Sequence, residues 1–181
     1  MNLTCVRLTY SIDVTRSSSL AVYQSFLRLN LTLALKGFIE NNPLLINRSI
    51  SYVFDSILNT LGKYNILVLL DNHISKAMWC CNEFDGNGFW GDRYFDVEQW
   101  IDGLIFMTKK TINRSYIIGM SLRNELRSLR QNLPEWYYYV LRGIGEAISS
   151  INSRLLIIIS DLNYDLDLSF IRLLSIQELV P

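Results

Sequence analysis

A charge surplus is the first thing missing: seventeen Lys and Arg face seventeen Asp and Glu in 181 residues. Phosphate binding needs basic side chains concentrated somewhere, so nucleic acid is not the expected partner. Long apolar runs are missing too. Residues 66–70 and 155–159 are the most hydrophobic stretches, far short of the ~20 residues that span a bilayer, and no membrane partner is expected. The N-terminal MNLTCVRLTY has neither a charged n-region nor an apolar h-region, so no secretory signal is legible there. There are three cysteines, Cys5, Cys80 and Cys81, which make neither a disulfide framework nor a CxxC metal pair. Adjacent cysteines are ordinarily one buried thiol and one pointing outward. The single histidine, His73, excludes a His-rich metal site, and no metal or cofactor is expected. N-glycosylation triplets begin at Asn2, Asn30, Asn47 and Asn113, a pattern that also arises by chance.

What the chain does have is apolar material, half of its residues, enough for one globular core. Short apolar segments at 5–9, 66–70, 117–122 and 155–159 read as strands, and their continuous hydrophobicity suits a parallel sheet covered on both faces. Between them the period becomes helical. Ile50, Val53, Phe54, Ile57, Leu58 and Leu61 share one helix face, with Gly62 as the stop; Val97, Trp100, Ile101, Leu104 and Ile105 share another. Asp96 and Gln99 stand at capping-box spacing and start that second helix. A third begins near Pro134 and runs through Trp136, Val140, Ile144 and Ile148. Residues 20–39 are expected to be helical as well. Strand–helix alternation without a linker or repeat gives a single α/β domain over 1–181, with right-handed crossovers.

The loops separate an open doubly wound sheet from a closed barrel. Thr9 leads into YSIDVTRSSS rather than a glycine fingerprint, and no Walker A loop occurs. Polar residues instead gather where strands end: Arg7 in the first, Asp71-Asn72-His73 in the second, Asn124-Glu125 after the third. Barrel enzymes build their sites this way.

VRLTY (6–10), ILVLLDNHISK (66–76), WCCNEFDGNGFWGDRYFD (79–96) and GMSLRNELR (119–127), in that order, resemble the plant-type, cellulase-like branch of glycoside hydrolase family 5. The similarity continues through QNLPEWYYYV and SDLNYDLDLSF, to about Phe170. It implies a partial (β/α)8 TIM barrel and retaining hydrolysis of O-glycosidic bonds in β-linked polysaccharides, without a cofactor. It also implies roles. Glu125 matches the general acid/base, and Asn124 the residue that bonds the sugar 2-hydroxyl. Arg7 matches the arginine that supports the nucleophilic carboxylate, and His73 the active-site histidine. Trp79 and Trp90, with Phe89, Tyr94 and Phe95, surround Asp85-Gly86-Asn87-Gly88 in a loop whose aromatic faces suit sugar rings.

Plainer roles stand beside these. Arg7 could be a structural arginine paired with an acid, His73 a hydrogen-bonded structural residue, and the loop aromatics rim packing. Trp100 and Trp136, at helical core spacing, read as packing residues. The chain departs from the family pattern at Tyr10, where Trp is common, and at Ala77-Met78, which replaces a Pro-Gly turn.

A complete barrel typically takes about 250 residues. The resemblance runs from the second barrel strand to just beyond the fifth, so the family's nucleophilic Glu, on the seventh, has no counterpart. Asp71, Asp161, Asp165, Asp167 and Glu178 are poor substitutes. The alternative expectation is therefore a truncated, non-catalytic remnant, inactive or weakly carbohydrate-binding. Unpaired strand edges at 5–9 and 155–159 would favour self-association. The family is typically secreted; the compartment of this chain stays open.

Overall fold

The structure is a computed structural model and describes residues 4–166 and Phe170. Four parallel strands form one sheet in the order β1-β2-β3-β4: β1 Cys5–Ser11, β2 Leu67–Ile74, β3 Ile117–Ser121 and β4 Leu156–Ile158. Each new strand joins beside the previous one. The order never reverses, so the sheet has no topological switch point, and it grows as a barrel wall grows.

Helices fill each crossover. Between β1 and β2 lie α1 (Ile12–Arg16), α2 (Val22–Arg28), α3 (Thr32–Asn41) and α4 (Ile50–Lys63). The expected helix over 20–39 is two helices, because Asn30 adopts a left-handed φ of 54° between α2 and α3 and breaks the ladder. α5 (Val97–Thr111) connects β2 to β3, and the Asp96 side chain accepts a hydrogen bond from the Gln99 amide, the expected cap. α6 (Leu133–Arg142) starts on an Asn132 cap with Pro134 in its first turn, then continues as a π-helical stretch, Gly143–Ser149.

Register sorts the sheet into two unlike faces. Leu8, Leu70, Met120 and Ile157 stand opposite one another on the face against the helices, where Leu70 and Met120 are fully buried. Trp100 and Trp136 are buried beneath those helices and donate to Leu122 O (2.8 Å) and Ser160 O (2.9 Å). The other face carries Arg7, Leu69, Gly119 and Leu156 in one row and Thr9, Asp71, Ser121 and Ile158 in the next. The expectation of cover on both faces is corrected here: Leu156 on this face is 63% exposed. Continuous hydrophobicity arises because closed barrels fill this inner face with layers of side chains. Within these residues those layers are incomplete. Asp167 and Glu178 lie outside the described residues.

Candidate active site

At the C-terminal end of the sheet, the inner-face polar residues meet. The Asp71 carboxylate is almost wholly buried; Oδ2 accepts from Arg7 Nη2 (2.9 Å) and from His73 Nδ1 (2.9 Å). Its Oδ1 accepts from Ser121 Oγ at 2.6 Å, and Ser121 Oγ in turn accepts from the Asn72 amide at 3.0 Å. With three donors on two oxygens, Asp71 is a scaffold for its neighbours, and Arg7 has the acid partner that its plainer role calls for. β2 is longer than the expected 66–70, because Asp71, Asn72 and Ile74 still pair with β1, while His73 falls at an irregularity in the register between Asn72 and Ile74.

Arg7 Nη2 also donates to Asn124 Oδ1, and the Asn124 amide donates to Asn72 O at 3.0 Å. The structure thus brings Arg7, Asp71, His73 and Asn124 into one network. Asn124 Nδ2 is buried and has no partner among the described residues. Glu125, next in the chain, takes a left-handed φ of 41°, which turns the backbone sharply just after β3. Its amide donates to Ser160 Oγ (3.1 Å), beyond β4, and its carbonyl accepts from Arg127 Nη1 (2.8 Å). The half-buried Glu125 side chain has no hydrogen-bond partner among the described residues.

The loop between β2 and α5 is anchored to that turn by two arginines that sequence reasoning overlooked. Arg127 is fully buried, pairs with Asp85 at 2.7 Å, donates to Asn82 O and reaches Cys80 Sγ at 3.6 Å. Gly88 lies so close that a Cβ there would stand 2.7 Å from Arg127 O. Arg123 is buried over the Phe95 ring (4.0 Å) and donates to Ser75 Oγ and Asn87 O. Burial, with the like charge of Arg127, lowers the Arg123 guanidinium to about 9. Only charge pattern could have singled these two out, flanking Asn124-Glu125 as they do, and charged residues are seldom buried. Tyr10 is buried as well, and burial, with the Asp71 carboxylate, raises its phenol above the ordinary range.

The loop aromatics divide. Trp79 is 69% exposed, whereas Trp90 is 1% exposed. Trp90 packs against Phe89, Phe95, Trp100 and Tyr139 at centroid distances of 5.1–5.6 Å, so it is a core residue and does not present a ring to a ligand. Phe89 and Phe95 are buried with it, and Tyr94 lies under Lys76 Nζ at 4.1 Å. Cys80 and Cys81 also differ from the expected pair of one buried and one outward thiol: both are half-buried and joined in a disulfide.

The sequence of the chain is 41% identical over 179 residues, 97% of its length, to a protein from Chamaecyparis obtusa named Glycosyl hydrolase 5 family protein. This chain belongs to glycoside hydrolase family 5. It spans 32% of the length of that relative. No protein-family model matches the chain.

Solved structures agree on the fold of this family 5 chain. The catalytic domain of the major endoglucanase from Xanthomonas campestris pv. campestris superposes with a TM-score of 0.60 at 21% identity, over 88% of this chain and 43% of that one. A cellotetraose complex of the endocellulase from Pyrococcus horikoshii gives 0.63 at 18% identity, over 88% and 42%. The four-stranded sheet is therefore part of a (β/α)8 barrel, and the chain covers less than half of these barrels.

Proposed function

We propose that the chain carries the acid/base side of a retaining β-glycosidase site, acting on a β-linked oligo- or polysaccharide. The observation that carries this reading is the juxtaposition of Asn124 and Glu125 with the Arg7–Asp71–His73 network at the C-terminal end of parallel strands. Glu125 protonates the leaving glycosidic oxygen and then draws a proton from the attacking water. Its carboxyl is uncommitted, as a group that must exchange protons with a ligand needs to be. Asn124 uses Oδ1 on Arg7, which leaves the unpartnered Nδ2 as a donor to the sugar 2-hydroxyl. Arg7 and His73 line the same floor, and Trp79 offers an exposed ring to an apolar sugar face. Trp90 supports the loop from within. The cellotetraose bound by the Pyrococcus endocellulase favours a glucan as the first ligand to try.

Double displacement takes two carboxyl groups about 5–5.5 Å apart. Asp71 is committed to Arg7, His73 and Ser121, which favours a nucleophile supplied by barrel strands other than these four. The same observation favours the second reading, a carbohydrate-binding remnant without turnover. The deciding experiment measures release of reducing ends from cello- and manno-oligosaccharides by the chain and by Glu125→Gln. Turnover that Glu125→Gln abolishes supports the acid/base assignment. Turnover indifferent to that substitution refutes it. Absent turnover with saturable quenching of tryptophan fluorescence, lost in Trp79→Ala, selects the remnant reading.

A further inference from the structure

We infer that Cys80, Cys81 and His73 form a binding site for a soft or borderline divalent cation, Zn2+ or Cd2+, in the reduced protein. A ring nitrogen of His73 and the two sulfurs lie within 4.8 Å of one another. Ligand atoms around a tetrahedral zinc ion, each about 2.0–2.3 Å from it, stand ~3.5 Å apart, so small side-chain rotations suffice to close the set. Two thiolates and an imidazole are the donors that zinc and cadmium prefer over harder ions.

Two further features suit the site. His73 Nδ1 faces the Asp71 carboxylate at 2.9 Å, which favours the tautomer with the proton on Nδ1 and a lone pair on Nε2. A carboxylate behind a ligating histidine orients the ring and fixes its tautomer, as it does in zinc centres generally. Arg127 Nη2 donates to Cys80 Sγ at 3.6 Å, which helps to fix where that sulfur sits beside the histidine. All three ligand residues are half-buried, accessible to an ion yet shielded from bulk water on one side. The fourth position of the tetrahedron is left for water, as in open zinc sites.

The site is redox-gated. While the two sulfurs are bonded to each other they hold no free thiolate. A water-soluble phosphine opens the bond: phosphorus takes the oxygen of one water molecule to become the phosphine oxide, and its two hydrogens leave two thiols. Binding of the cation then releases both thiol protons. The sequence alone gives no expectation of a metal, because adjacent cysteines lack CxxC spacing and a single histidine excludes a His-rich site; the fold brings the three together.

The test uses the full chain in a Cys5→Ser background, so that the remaining thiols are those of the pair. The phosphine-reduced protein is titrated with Cd2+, following the ultraviolet thiolate-to-metal charge-transfer band, with stoichiometry from equilibrium dialysis against Zn2+. One ion per chain is expected in the reduced protein and none in the oxidised protein, a comparison that needs no further substitution. His73→Gln is expected to raise the Kd for Cd2+ by at least the order of 10–100-fold, the scale that loss of a mere outer-shell partner already produces. Cys80→Ser and Cys81→Ser are expected to remove most of the band. The proposal is overturned if the reduced chain takes up no ion, if the oxidised chain binds equally well, or if His73→Gln binds as tightly as its parent.

Discussion

Arg127 and Asp85 are paired at 2.7 Å with both side chains inside the protein, 0% and 3% exposed. The same guanidinium holds Asn82 O and Glu125 O, so one residue ties the long β2–α5 loop to the turn that carries Glu125. A buried ion pair earns little net stability when intact, yet removing one partner strands the other charge in the interior. Asp85→Asn is therefore expected to cost about 3–5 kcal/mol in urea unfolding at neutral pH. A loss below ~1 kcal/mol would mean that water reaches Arg127 and that the loop is not anchored as described.

Acid should weaken the same contact. Burial alone would raise the Asp85 carboxyl, but hydrogen bonds from Arg127 and from the Asn87 and Asn82 amides prevail, and the net shift is downward. The unfolded-state value is about 3.9. With the folded value below it, the unfolded chain takes up the proton first, so this contribution is complete above the unfolded value and drains away as pH falls through the folded one. Denaturation midpoints measured from pH 6 down to pH 3 should drop more steeply for the parent chain than for Asp85→Asn. Parallel curves would assign the acid sensitivity elsewhere.

Trp79 and Trp90 separate ligand contact from packing. Trp90→Ala removes the centre of an aromatic cluster and is expected to cost about 3–5 kcal/mol. Trp79→Ala, at a largely exposed side chain, should change the unfolding free energy by no more than about 0.5 kcal/mol while removing the fluorescence response to oligosaccharide. Equal destabilisation by both would show that the loop folds differently.

Among the described residues β1 and β4 are the two edges of the sheet, and the inner face beside β4 exposes Leu156 and Ile158. Unpaired edges template association, so sedimentation of the purified chain should reveal oligomers that grow with concentration. Leu156→Lys, a charge on that face, is expected to shift the distribution towards monomer. A monodisperse monomer at every concentration would contradict this.

Sequence by itself determined the class of fold and most of its elements. Strand apolarity, the Asp96 and Asn132 caps and the i, i+3, i+4 faces are local properties, set by covalent neighbours and by the choice between buried and wet surface. Glu125 after a strand, with Asn124 before it, was legible for the same reason, once the wider match to the family was recognised. Other decisions belonged to tertiary contacts alone. Trp79 and Trp90 share a residue type and a loop, yet one meets solvent and the other meets Phe89, Phe95, Trp100 and Tyr139. Arg123 and Arg127 look like surface charges in a polar turn, and only the folded loop supplies the carbonyls and the carboxylate that let them be buried. The meeting of His73 with Cys80 and Cys81 is of the same kind, because it depends on how a loop returns across a strand end. Periodicity reports which face of an element is apolar; it carries no information about which distant polar groups will satisfy one another.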